Sequence, residues 1–129
     1  MSDEASPHSL FAEITPRQGM GTLFIRLIGP SIGAREAPII QGMTGPAIDG
    51  FGSMLKNVIL DLTAITYMNS AALGMLVDCR TRAAKINKAK TILLNPSPEI
   101  FSVLKMVKFD RIFTVAANAD ELSKAMGAQ

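Results

Sequence analysis

Apolar positions recur with two different periods along this chain, and the order of the periods predicts an alternation of strands and helices. Residues 10–15 alternate between apolar and polar, and residues 23–28 are apolar apart from Arg26, so the segments 10–15 and 22–28 are predicted to be strands. A short turn containing proline and glycine separates them, which favours a hairpin at the start of the fold.

From residue 57 onwards, short apolar runs alternate with segments of helical period. Two helix starts carry cap signals, because Ser97 is followed by Pro98 at the first helical position and Asn118 precedes Glu121 by three residues. Strands are predicted over 57–62, 90–95 and 111–115, and helices over 70–88, over 97–108 and from 118 onwards. This alternation predicts an α/β fold, a single domain with a mixed, mostly parallel sheet of four to five strands, an N-terminal hairpin and crossover helices.

Residues 29–55 break this regularity, since they hold six of the ten glycines and three of the seven prolines. Their apolar residues fall near helical spacing, but Gly42, Gly45 and Pro46 should interrupt a helix. The segment is predicted to be a loop followed by an interrupted or late-starting helix that ends near Lys56.

Composition limits the classes of function. Of the 129 residues, 48% are hydrophobic and 19% charged, which predicts one packed domain, and the net charge of +2 is too small to indicate nucleic acid or a membrane surface as a partner. Residues 1–8 are polar and acidic and do not resemble a signal peptide, so we expect a flexible leader followed by a domain over 9–129. No apolar run approaches the ~20 residues of a membrane span, and we expect a cytoplasmic protein.

Histidine and cysteine are scarce, with His8 and Cys79 as the single residue of each type. A disulfide framework is impossible, and neither a metal site nor a catalytic base is indicated. Cys79 lies on the apolar stripe of a predicted helix and is interpreted as a core residue. We therefore expect no enzymatic activity and no cofactor.

The segment from 61 to 80 places a serine where a site can form. A predicted strand ends at Leu62, and after a polar connection Asn69 and Ser70 open a helix. Sites in open α/β sheets lie at the carboxyl ends of strands, and a helix N-terminus offers unpaired N–H groups to a phosphate. Ser70 and Gly74 fall on the outward face of this helix. The same residues also fit a purely structural role, with Asn-Ser as a helix cap and Gly74 as an aid to close packing.

The run VILDLTAITYMNSAALGMLV, residues 58–77, resembles the signature of the STAS domain. In that family a hydrophobic strand and a short connection lead to Met-Asp-Ser-(Ser/Thr/Ala)-Gly-Leu-Gly at the start of a helix. Residues 68–74 occupy these positions, with Asn69 in place of the aspartate and Ala72 in place of the first glycine. The resemblance covers about residues 9–126.

The resemblance implies an anti-sigma factor antagonist, a protein-binding switch in signal transduction and transcription regulation. In such family members the unmodified domain binds an anti-sigma factor that is also a serine kinase, the kinase phosphorylates the serine after the motif's aspartate, and a PP2C-type phosphatase reverses this. Ser70 is that serine here, and we expect a monomer or a weak homodimer. The resemblance places the partner contact on Asn69, Ala71, Ala72, Leu73, Gly74, Gly29, Pro30 and Ser31.

Two other functions stay open at this point. Asn69 removes a charge beside the phosphoacceptor, which favours a non-phosphorylated scaffold subunit of a stress-signalling or lipid-transport complex. A small hydrolase that uses Ser70 as nucleophile would need a base, and His8 in the leader is the single histidine.

Overall fold

Five strands form the central sheet of the computed structural model, which describes residues 11–127. The elements in chain order are β1 (Ala12–Arg17), β2 (Thr22–Leu27), β3 (Ser31–Ile32), α1 (Glu36–Asp49), β4 (Asn57–Asp61), β5 (Tyr67–Met68), α2 (Ser70–Lys85), β6 (Lys90–Leu94), α3 (Pro98–Met106), β7 (Thr114–Ala116) and α4 (Ala119–Ala125). In the sheet the order is β1-β2-β4-β6-β7, with β1 and β2 antiparallel and the other neighbours parallel. The predicted α/β fold with an N-terminal hairpin is confirmed, and the predicted leader lies outside the described residues.

Both faces of the central strands are covered, which explains why residues 58–60 of β4 and residues 92–94 of β6 are apolar. Leu60 and Leu93 belong to the main core together with α1 and α2, whereas Ile59 and Ile92 join a smaller cluster with α4. All four side chains are at most 2% exposed, and burial of each contributes roughly 1.5–3 kcal/mol. Since helices cover the faces, the carboxyl ends of the parallel strands are left as an open edge where a site can form.

The prediction of an interrupted helix before β4 is wrong, because α1 runs continuously from Glu36 to Asp49 with Pro46 inside it. Its buried face packs on α2, and the site of a Cβ on Gly45 would lie 3.1 Å from the guanidinium carbon of Arg82. Pro46 is exposed and lies in the last turn, so the one helix hydrogen bond that it cannot donate is lost at the surface of the protein. Tertiary packing therefore overrides local propensity, and the helix ends at Asp49 instead of near Lys56.

The last strand also differs from its prediction over 111–115, since β7 spans Thr114–Ala116. Residues Phe109–Arg111 form a 3-10 turn instead. The rings of Phe109 and Phe113 pack with centroids 5.3 Å apart, and Phe113 is buried. The apolar residues that suggested a strand therefore stabilise a turn.

Candidate functional site

Ser70 is the first residue of α2, and it is exposed at the carboxyl end of the sheet. Asn69 caps the helix, because its Oδ1 accepts hydrogen bonds from the backbone N–H groups of Ala71 at 3.0 Å and Ala72 at 3.2 Å. The hydroxyl of Ser70 makes no hydrogen bond to any residue within 11–127. The structure therefore confirms the cap and leaves the serine hydroxyl free to react or to contact a partner.

A second, two-stranded sheet brings the loop after β2 next to Ser70. β3 and β5 pair in parallel, with Ser31 beside Tyr67, and the backbone N–H of Thr66 donates to the carbonyl of Pro30 at 2.8 Å. Pro30 and Ser31 are exposed, and Gly29 is half-buried. Strands of two residues show no period in sequence, which is why sequence analysis missed this pair. The structure nevertheless places the predicted loop beside the start of α2.

The outward face of α2 carries most of the predicted contact residues. Ser70 and Gly74 are exposed, and Ala71 and Leu73 are half-buried. Ala72 is 0% exposed and belongs to the core, so the prediction that it takes part in the contact surface is wrong. We use the name Ser70 surface for the remaining residues of the predicted contact, which are 29–31, 69–71, 73 and 74.

Gly74 has open space around it. No heavy atom lies within 4 Å of the position that a Cβ would occupy, apart from its own helix turn and chain neighbours. Glycine costs a helix interior about 1 kcal/mol relative to alanine. Since packing within the described chain gives no reason for this cost, the close-packing explanation for Gly74 fails.

Asn69 also faces a carboxylate from the start of α1. A Cβ placed on Gly33 would lie 3.4 Å from Asn69 Nδ2 and 3.5 Å from Glu36 Oε1, so the amide and the carboxylate flank the same small space. Glu36 Oε1 is held there because it accepts a hydrogen bond from the Gly33 N–H at 2.9 Å. The carboxylate near the cap of α2 therefore comes from Glu36, and the amide of Asn69 avoids a second carboxylate next to it.

This arrangement predicts an energetic coupling between the two side chains. Asn69→Asp should lower the free energy of unfolding by about 0.5–1 kcal/mol more in the wild-type background than in the Glu36→Gln background. The reason is that glutamine keeps the acceptor oxygen of Glu36 and removes its charge. Urea unfolding of the four proteins at low salt measures the coupling, which should shrink at high salt. An effect of Asn69→Asp that is the same in both backgrounds would contradict the coupling.

Catalytic chemistry finds little support near Ser70. Residues 11–127 contain no histidine, and within them no three His, Cys, Asp or Glu side chains converge as a metal site. Cys79 is fully buried on the inner face of α2, as predicted, and its Sγ donates to Thr44 Oγ1 at 3.6 Å. His8, the base that a hydrolase would need, lies outside the described residues.

Burial raises the pKa of the Cys79 thiol from its ordinary value of 9.0 to about 11. The folded protein then holds the proton where the unfolded chain loses it, so stability is complete below pH 9 and falls as the pH rises from 9 through 11. We expect Cys79 to contribute up to ~1.4 kcal/mol per pH unit to the decrease in the free energy of unfolding over this range. Denaturant unfolding at several pH values should show that the free energy of unfolding falls less steeply with pH in Cys79→Ala than in the wild type. An equal pH dependence in the two proteins would contradict the raised pKa of Cys79.

Comparison with known families supports the fold. The family model of the STAS domain matches residues 9–122. A curated STAS-domain containing protein of Pseudomonas aeruginosa strain UCBPP-PA14 is 36% identical over 61 residues, which are 47% of this chain and 59% of that protein. Between residues 11 and 127, none of the helices combines the length and the apolar character of a transmembrane segment.

Solved structures of similar fold come from two kinds of protein. An anti-sigma factor antagonist domain protein of Planctomyces limnophilus has a TM-score of 0.77 at 19% identity, with 90% of this chain and 97% of that chain covered. The unphosphorylated anti-sigma factor antagonist SpoIIAA has a TM-score of 0.67 at 20% identity, with 91% and 97% covered. The murine solute carrier 26 family member A9 anion transporter has a TM-score of 0.70 at 16% identity, with 84% of this chain and 18% of that chain covered. At these identities the likeness shows the fold alone.

Proposed function

The chain belongs to the STAS domain family, and on this premise we propose that it is an anti-sigma factor antagonist switched by phosphorylation of Ser70. In its unphosphorylated form it binds an anti-sigma factor that is also a serine kinase, and a phosphate on Ser70 ends that binding. A PP2C-type phosphatase restores the binding form. The observation that carries the proposal is the exposed, unbonded hydroxyl of Ser70 in the middle of the Ser70 surface.

The cap of α2 determines where a phosphate on Ser70 would point. The N–H groups of Ala71 and Ala72 already bond to Asn69, and the N–H of Leu73 bonds to the Asn69 carbonyl at 3.1 Å. The expected cradle of unpaired N–H groups is therefore largely occupied. A phosphate would project outward, where it keeps the general attraction to the helix N-terminus without folding back onto it.

This outward position explains how the phosphate would act. The modification adds close to two negative charges and needs no change in the fold. Glu36 already places a carboxylate near Asn69, the residue before Ser70, so the added charge would increase the negative potential of this part of the Ser70 surface. A partner that buries this surface would have to desolvate the phosphate, and binding would be lost.

The direct test uses the protein from its native cells. We expect mass spectrometry of the purified protein to find a fraction carrying one phosphate, located on Ser70, and affinity capture with wild-type bait to retrieve a serine kinase. Ser70→Ala bait should retrieve the kinase and remain unmodified when incubated with it and ATP. A phosphate at another residue, or none under any growth condition, would reject the switch.

The same capture separates the switch from the scaffold alternative. Asn69 supports the scaffold, because it removes the charge of the motif's aspartate beside Ser70. A bait that retrieves a transporter or a large signalling assembly, equally well before and after treatment with phosphatase, would identify a non-phosphorylated subunit.

Gly74 offers a prediction in which stability and binding change in opposite directions. Gly74→Ala should stabilise the protein by about 0.5–1 kcal/mol, because alanine is the better helix former and the added methyl meets no atom of the chain. The methyl would stand on the Ser70 surface and weaken partner binding by roughly 10-fold.

Gly42 is the matched control, since it is exposed on α1 and also has open space around its Cβ position. Gly42→Ala should give a similar gain in stability and leave binding unchanged. Thermal unfolding and titration with the captured partner measure both quantities. Equal partner affinity for the two variants would show that the partner does not approach Gly74.

A further inference from the structure

A cavity of about 320 Å³ opens at the end of the sheet opposite Ser70, where α2 ends and β6 and β7 begin. Parallel strands direct their carboxyl ends to the Ser70 surface, so this second end of the molecule takes no part in the proposed switch. The walls contain Arg80, Lys88, Lys90, Thr91, Ala84 and Ile112. We call this cavity the basic pocket.

Three basic residues line the basic pocket, and no acidic residue does. Arg80 is held in place because its Nε donates to the carbonyl of Ile112 at 2.9 Å. The Nζ of Lys90 donates to the carbonyl of Ala125 in α4 at 2.7 Å, outside the pocket lining, so Arg80 and Lys88 supply the charge that a ligand would meet. Among the described residues, the ion pairs involve Arg26 and Arg82 only, so no carboxylate neutralises the cations of the pocket. The pocket is therefore a site of positive potential with a partly fixed frame.

Thr91 supplies the second observation. It lines the basic pocket and is 4% exposed, and its Oγ1 is the one buried side-chain oxygen or nitrogen within 11–127 that has no hydrogen-bond partner. A buried hydroxyl without a partner is costly, and a valine of the same shape would avoid the cost at this position. An unsatisfied polar group in the wall of a cationic pocket is the arrangement that a bound anion would complete.

We propose that the basic pocket binds a phosphate group. The Thr91 hydroxyl donates a hydrogen bond to a phosphate oxygen after a rotamer change about its Cα–Cβ bond, which moves the hydroxyl from its buried position towards the pocket. Arg80 and Lys88 supply charge-assisted hydrogen bonds, since an arginine fork and a lysine ammonium both suit phosphate. Ala84 and Ile112 give the rest of the wall an apolar character that suits an organic group attached to the phosphate.

The test compares inorganic phosphate with glycerol 3-phosphate, each titrated against sodium chloride at constant ionic strength and pH. Amide chemical shifts give the dissociation constants. We expect saturable binding that moves the amides of residues 88–91, and a loss of affinity of at least about 10-fold in Thr91→Val and in Lys88→Gln. Lys85→Gln is the control, because Lys85 is an exposed cation at the end of α2, three residues before Lys88, and lies outside the pocket.

Thr91→Val should not impair folding, because it removes an unsatisfied hydroxyl and should leave the ligand-free protein at least as stable as the wild type. A loss of phosphate affinity in this variant would therefore reflect the pocket itself. Tighter binding of glycerol 3-phosphate would assign the site to phosphomonoesters, and equal binding of both probes would assign it to the phosphate group alone. No saturable binding, or the same weakening in Lys85→Gln as in Lys88→Gln with Thr91→Val unchanged, would overturn the proposal.

Discussion

Ser70→Glu is expected to reduce affinity for the captured kinase partner at least about 100-fold, which corresponds to roughly 3 kcal/mol. The reason is the cost of burying an unpaired carboxylate in a contact surface made of small residues and exposed backbone. Ser70→Ala should fold as the wild type does, because the unmodified hydroxyl makes no hydrogen bond to the described chain, and it should keep the partner affinity within a few-fold, because it adds neither charge nor bulk to the contact surface. Isothermal titration with the purified partner measures all three affinities.

Two controls isolate the charge at Ser70. Ser102→Glu adds the same charge on the exposed face of α3, away from the Ser70 surface, and should leave affinity unchanged. Stability should not fall in Ser70→Glu, since a negative group in the first turn of α2 interacts favourably with the helix N-terminus by about 0.3–1 kcal/mol. Wild-type affinity in Ser70→Glu, with the fold intact, would remove the basis of the switch.

Gly21→Ala is expected to lower the free energy of unfolding by about 2–4 kcal/mol. Gly21 has a φ of +63°, which costs other residues roughly 1–2 kcal/mol, and a Cβ there would lie 2.5 Å from the backbone oxygen of Met54. That segment cannot move away easily, because the N–H groups of Lys56 and Asn57 both donate to the Gly21 carbonyl, at 2.7 and 3.1 Å. The contact lies between the β1–β2 hairpin and the start of β4, so its loss affects the whole sheet.

Gly19 provides the matched comparison, since it lies in the same turn and has no heavy atom within 4 Å of its Cβ position. Gly19→Ala should change stability by no more than about 0.5 kcal/mol. Urea unfolding of both variants measures the difference. Equal stabilities for the two would show that the backbone at Gly21 adapts without cost.

Local signals predicted most of the fold, and the reasons can be seen at particular residues. Ser97 accepts from the N–H of Ile100 at 3.2 Å and Asn118 from that of Glu121 at 2.9 Å, so both predicted caps form where the sequence places them. The central strands β4 and β6 were predicted because burial on both faces requires continuous apolar runs. Each of these signals acts over a few residues and needs no knowledge of the rest of the chain.

Other parts of the fold depend on residues that are distant in sequence. α1 continues through Pro46 because its buried face packs on α2, and the β3–β5 pair joins two segments that are separated by the whole of α1 and β4. Neither contact leaves a local pattern. For the same reason the sequence predicted a contact surface that included Ala72, and burial against the core removes it.

The sequence by itself determined the α/β class, the position of Ser70 at the start of a helix and the cap that exposes its hydroxyl, because periodicity and capping are local properties. Only the tertiary structure decided that Glu36 faces Asn69, that the loop at Pro30 lies beside Ser70, and that Thr91 is left without a partner among cations. These features arise where separate elements meet, and the free energy that fixes them comes from packing of the whole domain.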